Sequence, residues 1–148
     1  MFSLFRKKNA DADQQRHLFS FVPDGTSQKV LGSLADKTDL YPKTVKDLRA
    51  LGQLDRRINK YETTSLEVEI VSCPDGMKVV YGKKLIGYVP KRKIEHVKYA
   101  LENDCSITAV LSGGPYKFIR VSYDDYGHPS FWTDKHDGDI AVKIDMEY

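Results

Sequence analysis

Lysine, arginine and tyrosine side chains gather in one stretch of the chain, between residues 78 and 98. Seven basic residues lie there with one acidic residue, Glu95, so the segment carries a charge of +6, whereas the whole chain of 148 residues carries +2. Basic side chains neutralise phosphates and release their counterions, and tyrosine rings stack on unpaired bases. The pattern favours binding of nucleic acid, with Tyr81, Tyr88 and Tyr99 as candidate stacking rings.

A structural interpretation of the same residues stays open. Lysines along the rim of a β-hairpin discourage the pairing of strand edges between molecules. Tyrosines within alternating strands also belong to ordinary hydrophobic cores. On this interpretation the positive segment is a solvated surface, and charge alone does not choose between the two.

Histidine and carboxylate side chains are mixed in the segment from 124 to 139, of which residues 126–139 read as a polar, turn-rich loop. His128 and His136 lie there among Asp124, Asp125, Asp134 and Asp137. Such side chains can hold a divalent metal ion, and a metal next to DNA would indicate a nuclease. The spacing is not that of a compact ligand set, so we expect a solvated acidic loop. No metal, cofactor or catalytic residue is predicted.

The length and the cysteine content set further bounds. A chain of 148 residues is long enough for one domain with a core and short for two, so we expect one domain over residues 16–148, preceded by a flexible tail at 1–15. No apolar run approaches the roughly 18 residues of a membrane span. Cys73 and Cys105 lie in strand-like apolar surroundings and, without an export signal, are expected to remain thiols in the cytoplasm.

Alternation of apolar and polar residues predicts six or seven short strands. Strands are indicated at 17–22, 65–73, 77–89 as a hairpin around Gly82, 105–114, 116–125 and 140–148. Residues 23–27, with the sequence PDGTS, are predicted as a turn.

Helical spacing of apolar residues predicts two helices. One is a short insert near 43–52, and the other covers about 91–102 with Ile94, Val97 and Leu101 on one face. Strands that follow one another without regular helices between them favour an α+β fold that is mainly antiparallel β. The specific expectation is a small OB-like β-barrel with two short helices.

Residues 66–114 contain a series of short motifs in a fixed order. They are Met77, Lys78 and Val79, then Ile86, Gly87, Tyr88 and Val89, then Pro90 with the helix after it, and finally Gly113 and Gly114. This order resembles the HIRAN domain, a family that shows a strand with an A-I-x-V pattern, a short turn, and then I-G-(Tyr or His)-(Val or Leu), followed by a helix and a strand that ends near paired glycines. The resemblance implies a small barrel related to the OB fold, of a kind found in helicases and as stand-alone bacterial proteins.

The resemblance also implies a function and a site. Family members bind single-stranded DNA and capture its 3′ end, and by position Tyr88 would lie in the pocket with Lys91 nearby. We therefore expect a non-enzymatic module that binds single-stranded DNA or DNA ends, with a helicase or nuclease as a possible protein partner and no membrane contact. The expected binding residues are Lys83, Lys84, Tyr88, Lys91, Arg92, Lys93 and Lys98.

An alternative class of function remains open. The N-x-Y-D-x-N-A-I run that usually precedes the first family pattern is replaced here by IVSCPDGMKV. A protein-interaction or self-assembly domain that keeps the fold without the DNA-end pocket would show such a replacement. Residues 124–148 carry seven acidic and two basic side chains, and this opposite charge could support head-to-tail association with the segment from 78 to 98.

Overall fold

The computed structural model describes residues 15–148, which form ten β-strands, three α-helices and one 3-10 helix. The strands are β1 (Arg16–Phe21), β2 (Ile58–Asn59), β3 (Thr64–Glu67), β4 (Glu69–Cys73), β5 (Gly76–Tyr81), β6 (Lys84–Tyr88), β7 (Ser106–Gly113), β8 (Tyr116–Tyr123), β9 (Pro129–His136) and β10 (Ile140–Glu147). The helices are α1 (Gly25–Leu34), α2 (Val45–Ala50), the 3-10 helix (Lys91–Lys93) and α3 (Ile94–Leu101). The tail predicted at 1–15 lies outside the described residues except for Gln15, which pairs with Tyr148 through two backbone hydrogen bonds.

The strands form three sheets in which every ladder is antiparallel. Their orders are β1-β10-β7-β3, β4-β5-β6 and β2-β8-β9. A mainly antiparallel α+β fold with a few short helices is therefore confirmed. Within residues 15–148 no hydrogen-bonded ladder joins β6 to β1, so the closed barrel is not confirmed.

The segment predicted as one strand at 65–73 is two strands that belong to different sheets. β3 pairs with β7 and β4 pairs with β5, and Val68 lies between them with its N–H donating to the carbonyl of Ile107 at 3.2 Å. The alternation continues through this corner, because Val68 and Ile70 are buried while Glu67 and Glu69 are exposed. The chain thus passes from one sheet to the next without losing its buried face.

The main core is built from the inward-facing residues of β10 and the elements around it. Val142, Ile144 and Met146 alternate along β10 and are fully buried, as the sequence pattern predicts. Leu31 of α1 and Val97 of α3 reach the same core from the helices. Burial of each such aliphatic side chain stabilises the fold by about 1.5–3 kcal/mol, so these faces fix where the helices pack.

The prediction of a turn at residues 23–27 is wrong over its second half, because α1 begins at Gly25. The composition, GTSQKVLGSL, argues weakly for a helix, and tertiary contacts decide the outcome. Gln28 joins the helix to β10: its Nε2 donates to the carbonyls of Pro23 (2.8 Å) and Ile140 (2.9 Å), and its Oε1 accepts from the Ile140 N–H (2.8 Å). A side chain that bonds to a distant strand leaves no periodic signal.

The prediction of a loop over 126–139 is also wrong, because residues 129–136 within it form the strand β9. All eight residues of β9 pair with β8. The turn before it is held by the Asp124 carboxylate, which accepts the N–H groups of Tyr126 (2.9 Å) and His128 (2.8 Å), and by Gly127 with φ of +81°. As the edge strand of its sheet, β9 buries little surface, so its sequence lacks the apolar alternation that identifies strands.

The helix α2 lies within the segment predicted to be helical and supports a second, smaller core. Its first turn is capped by the Thr44 hydroxyl, which accepts the Asp47 N–H at 3.2 Å. Leu48 of α2 packs with Ile58 of β2 and Ile119 of β8, and all three are buried. The insert therefore covers one face of the sheet β2-β8-β9.

Candidate nucleic-acid interface

The hairpin of β5 and β6 places an exposed aromatic ring next to a basic side chain. Gly82, with φ of +60°, makes the turn, and the register shifts so that Val79 faces Gly87 while Val80 faces Leu85. The extra residue between these pairs is Ile86, which is fully buried. Beyond the bulge Tyr88 lies directly opposite Lys78. The Tyr88 side chain is therefore a cross-strand neighbour of the Lys78 side chain on one face of the ribbon.

A groove opens between the β4–β5 turn, the end of β6 and the start of the helical segment. It has a volume of about 570 Å³. We call it the hairpin–helix groove; its lining residues are Cys73, Pro74, Asp75, Gly76, Met77, Lys78, Tyr88, Val89, Pro90, Lys91 and Ile94. Tyr88 is 58% exposed at its edge, and the Val89 N–H donates to the Met77 carbonyl at 2.9 Å, which fixes the chain where it leaves β6.

A second concavity of about 390 Å³ continues the groove towards α3. It shares Cys73, Pro74, Gly76, Met77 and Ile94 with the first and adds Ser72 and Lys98. Gly76, with φ of +148°, lies against the Ile94 side chain: a Cβ there would lie 3.6 Å from its Cδ1. Lys78, Lys91 and Lys98 thus lie along one continuous concave surface.

The remaining predicted binding residues do not line this surface. Lys83 and Lys84 are exposed at the far end of the hairpin, and Lys84 is four residues from Tyr88, about 13 Å along an extended strand. Arg92 is exposed and Lys93 is half-buried, both in the 3-10 helix that follows Pro90. The expected cluster is therefore divided into a part in the groove, a part beside it and a part at the hairpin tip.

The exposure of the tyrosines contradicts the interpretation that these residues belong to the hydrophobic core. Tyr81 is 38% exposed, Tyr88 is 58% exposed and Tyr99 is 55% exposed, so none of the three is a core residue. Tyr99 has an edge contact with Tyr148, at 5.9 Å between ring centroids. Tyr88 is the one of these three that lines the groove.

The acidic residues near the end of the chain form their ion pairs away from the hairpin. The Arg16 guanidinium donates to Asp145, at 2.9 Å from Nε, and this hydrogen bond lowers the pKa of that carboxyl. Asp134 is paired with His136 and Arg120, and these contacts, that of His136 first, lower its pKa. Within residues 15–148 no ion pair joins an acid of 124–148 to a base of 78–98.

Little negative charge lies on the groove itself. Of the described basic residues in the segment from 78 to 98, Lys98 alone has an ion-pair partner, Glu95, at 3.9 Å with both side chains largely exposed. An exposed pair of this kind contributes between zero and about 1 kcal/mol and leaves both groups hydrated. Asp75 is the acid among the lining residues. The groove therefore keeps an excess of positive charge.

Two histidines join the helical segment to β1 beside this surface. The ring centroids of His17 and His96 are 5.0 Å apart in an edge-to-face arrangement. His17 Nε2 is buried and has no hydrogen-bond partner among the described residues. Burial, followed by the charges of His96 and Lys93, lowers the pKa of His17. A proton on this ring would add positive charge where basic groups already lie close together.

The described residues show no grouping of three or more histidine, cysteine, aspartate or glutamate side chains that could hold a metal ion. His128 Nδ1 lies 3.1 Å from Asp124, and His136 Nε2 lies 3.1 Å from Asp134, so each histidine has its own carboxylate. Cys73 and Cys105 are both unbridged, and burial raises the pKa of the Cys105 thiol. Over residues 15–148 the helices are all too short or too polar to cross a bilayer.

Comparison of the chain with protein-family models, curated proteins and solved structures finds no match. The resemblance to the HIRAN domain thus stays a prediction that depends on the residues of the hairpin and its helix. Sequence reasoning counted Lys78 in the basic cluster but left it out of the predicted site. Strand pairing supplies the missing signal, because Lys78 lies directly opposite Tyr88 once the bulge at Ile86 is known.

Proposed function

We propose that the protein binds single-stranded nucleic acid in the hairpin–helix groove, with single-stranded DNA or a DNA end as the ligand. One observation carries the proposal: Tyr88 is exposed, lies opposite Lys78 and lines one groove together with Lys91. An aromatic face next to ammonium groups matches a nucleotide, which has a planar base beside a phosphate. A volume of about 570 Å³ lies in the range of pockets that hold small organic groups.

Each side chain has a separate role in this proposal. The Tyr88 ring stacks on one unpaired base, an interaction that contributes about 1–3 kcal/mol. Lys78 and Lys91 in the groove, and Lys98 in the concavity that continues it, neutralise the phosphates on either side of that base. Arg92 and Lys93, and further away Lys83 and Lys84, attract the rest of the strand at longer range. Release of counterions makes this part of the affinity fall as the salt concentration rises.

The proposal includes a barrel-like arrangement of the sheets. Phe21 and Pro23, at the end of β1, pack against Gly87 in β6, and β3 continues into β4 at the corner formed by Val68. Side-chain packing would then complete the circuit that the ladders leave open between β6 and β1. The groove would lie beside this seam, where β6 ends.

A protein-interaction or self-assembly domain is the competing proposal. The acids of 124–148 that form ion pairs do so within the molecule, with Arg16, Arg120, His128 and His136. A carboxylate already paired in this way is a weaker partner for the basic segment of a second copy. Sedimentation at low and high salt separates the two proposals, since a monomer at both salt concentrations contradicts head-to-tail association.

Fluorescence anisotropy with labelled oligonucleotides tests the proposal directly. Single-stranded DNA is compared with a duplex of the same sequence, and a free 3′ end is compared with a blocked one. Preference for the single strand supports base stacking in the groove, and a further preference for the free 3′ end identifies an end-binding mode. Equal affinity for duplex and single strand contradicts the role of Tyr88, and absence of binding to both contradicts the proposed function.

A further inference from the structure

A separate concave site, away from the hairpin–helix groove and its continuation, lies beside β2. It contains an arginine that is held in one orientation. The Arg57 Nε–H donates to Oδ1 of Asn59 at 3.0 Å, and the guanidinium carbon lies 3.7 Å from the centroid of the Tyr116 ring. The hydrogen bond and the stacking contact together fix the plane of the guanidinium. The terminal nitrogens are not used by either contact.

The surroundings of Tyr116 hold this arrangement in place. Its ring is stacked on His136, at 4.9 Å between centroids and 3° between planes, and His136 Nε2 lies 3.1 Å from Asp134 Oδ1. Phe118 makes edge contacts with both rings, at 5.9 Å from each centroid. Arg57 therefore rests on a packed aromatic group and not on a mobile side chain.

The ion pairs of other arginines show what Arg57 lacks. The Arg16 guanidinium is bound to Asp145, and that of Arg120 to Asp55 and Asp134. Within residues 15–148 no carboxylate forms an ion pair with Arg57. A guanidinium already oriented by its Nε–H and by stacking, and without an ion-pair partner among the described residues, is prepared to bind a carboxylate or phosphate through two parallel hydrogen bonds.

Arg57 borders a cavity of about 460 Å³ that has further polar groups. Thr38, Asn59, Tyr61 and Thr63 contribute hydroxyl and amide groups to its lining. The Thr38 hydroxyl donates to the Asn59 carbonyl at 2.5 Å, which joins the loop after α1 to β2. Glu62 also lines the cavity, and its carboxylate forms no ion pair with a described residue.

We propose that this cavity binds the phosphate or carboxylate group of a small ligand through a bidentate contact with Arg57, and that Glu62 selects ligands with a hydrogen-bond donor next to the anionic group. The site shares no lining residue with the hairpin–helix groove. Anion binding in this cavity is therefore independent of nucleic-acid binding in that groove. A sugar phosphate, a nucleotide and an amino acid each present this combination of groups. Inorganic phosphate and acetate present the anion alone.

Nuclear magnetic resonance of the arginine Nε–H groups tests the site, with inorganic phosphate and acetate as the probes. Saturable shifts of the Arg57 signal are expected with both anions. Arg57→Gln should weaken phosphate binding at least about tenfold, the size expected for loss of a charge-assisted hydrogen bond. The matched control is Arg56→Gln, which removes the same charge from the neighbouring exposed residue and should leave the affinity unchanged.

Two further variants separate charge from geometry. Arg57→Lys keeps the charge without the planar fork and should bind phosphate less tightly than the unmodified protein. Glu62→Gln should bind inorganic phosphate more tightly, by up to about fivefold, because an exposed like charge is removed. Unchanged amide spectra for the variants show that the fold is kept, so a loss of binding then belongs to the site.

The source of the anion is decided by a third titration, with single-stranded DNA. A shift of Arg57 with DNA as well as with phosphate would assign the anion site to a polynucleotide backbone and would contradict the assignment to a small ligand. A shift with phosphate and acetate alone supports the site and assigns it to a small molecule. Equal phosphate affinity for Arg57→Gln and the unmodified protein overturns the inference, and so does an equal loss in Arg56→Gln.

Discussion

The ring of Phe21, at the end of β1, lies so close to Gly87 of β6 that a Cβ added to this glycine would be 2.6 Å from Cε2 of the ring. The Cγ atom of Pro23 lies 3.4 Å from the position of the same added Cβ. Gly87 does not have a positive φ, so its backbone conformation suits any residue. The glycine of the I-G-Y-V pattern is therefore required by the close approach of another strand and not by a turn.

Gly87→Ala should consequently lower the free energy of unfolding, by about 1–3 kcal/mol, because the half-buried Phe21 ring must move to accept a methyl group. Urea denaturation measures this change. Gly25→Ala is the matched control: no atom lies within 4 Å of a Cβ there, and the stability should be unchanged or slightly higher. Adding Phe21→Leu to Gly87→Ala should cost less than the sum of the two single changes. Strict additivity would contradict the contact.

The hairpin and the helix after it were predictable because their sequence follows the periods of their own structure. Val79 and Ile86 are buried on the ribbon, as the alternation of a strand indicates. Val97 and Ala100 are buried on α3, as the spacing of apolar residues in a helix indicates. Local sequence also places the charge, since the basic residues are neighbours along the chain. The local sequence does not show which of those basic residues line one groove.

Long-range contacts account for the parts that the sequence did not predict. The helix α1 depends on Gln28, whose side chain bonds to β10 across 112 positions of the chain. The strand β9 is an edge strand and lacks apolar alternation. The Lys78–Tyr88 pair depends on the bulge at Ile86, because a regular register would place different residues opposite each other. Arg57 and Tyr116 lie far apart in the sequence, and no motif joins them.

The Tyr88 ring should account for much of the single-strand affinity. Tyr88→Ala is expected to weaken binding of single-stranded DNA by 1–3 kcal/mol, roughly fivefold to 150-fold in Kd, while Tyr88→Phe keeps the stacking face and most of the affinity. Anisotropy titrations measure both. Tyr126→Ala provides the control, since Tyr126 is 87% exposed on the β8–β9 turn, outside the groove. Equal losses of affinity for single-stranded DNA in Tyr88→Ala and Tyr126→Ala would contradict binding of the base in the groove.

Two pairs of lysines separate a groove from a diffuse positive surface. Lys78→Ala with Lys91→Ala and Lys83→Ala with Lys84→Ala each remove two positive charges, but the first pair lines the groove and the second lies outside it. The dependence of log Kd on log salt should become shallower by about 0.7 for each lost phosphate contact. The groove pair should therefore flatten the slope by about 1.4, and the tip pair should change it much less. The same flattening in both double variants would indicate attraction by net charge alone.

Stability should fall as the pH drops through the range in which His17 titrates. Its pKa in the folded protein is lowered, first by burial and then by the charges of His96 and Lys93. The unfolded chain thus binds a proton on this ring before the folded protein does, so the free energy of unfolding decreases as the pH falls through the unfolded pKa of about 6.5.

The paired carboxylates act in a different pH range and do not obscure this effect. Asp145, whose pKa is lowered by the hydrogen bond from Arg16, loses its contribution only as the pH falls below about 4. Urea denaturation at about pH 7.5 and about pH 5.5 therefore isolates the histidines. His17→Phe should remove most of the difference between these two pH values, and His128→Gln, at a largely exposed position, should preserve it. A His17→Phe variant with the full difference would show that the proton is taken up elsewhere.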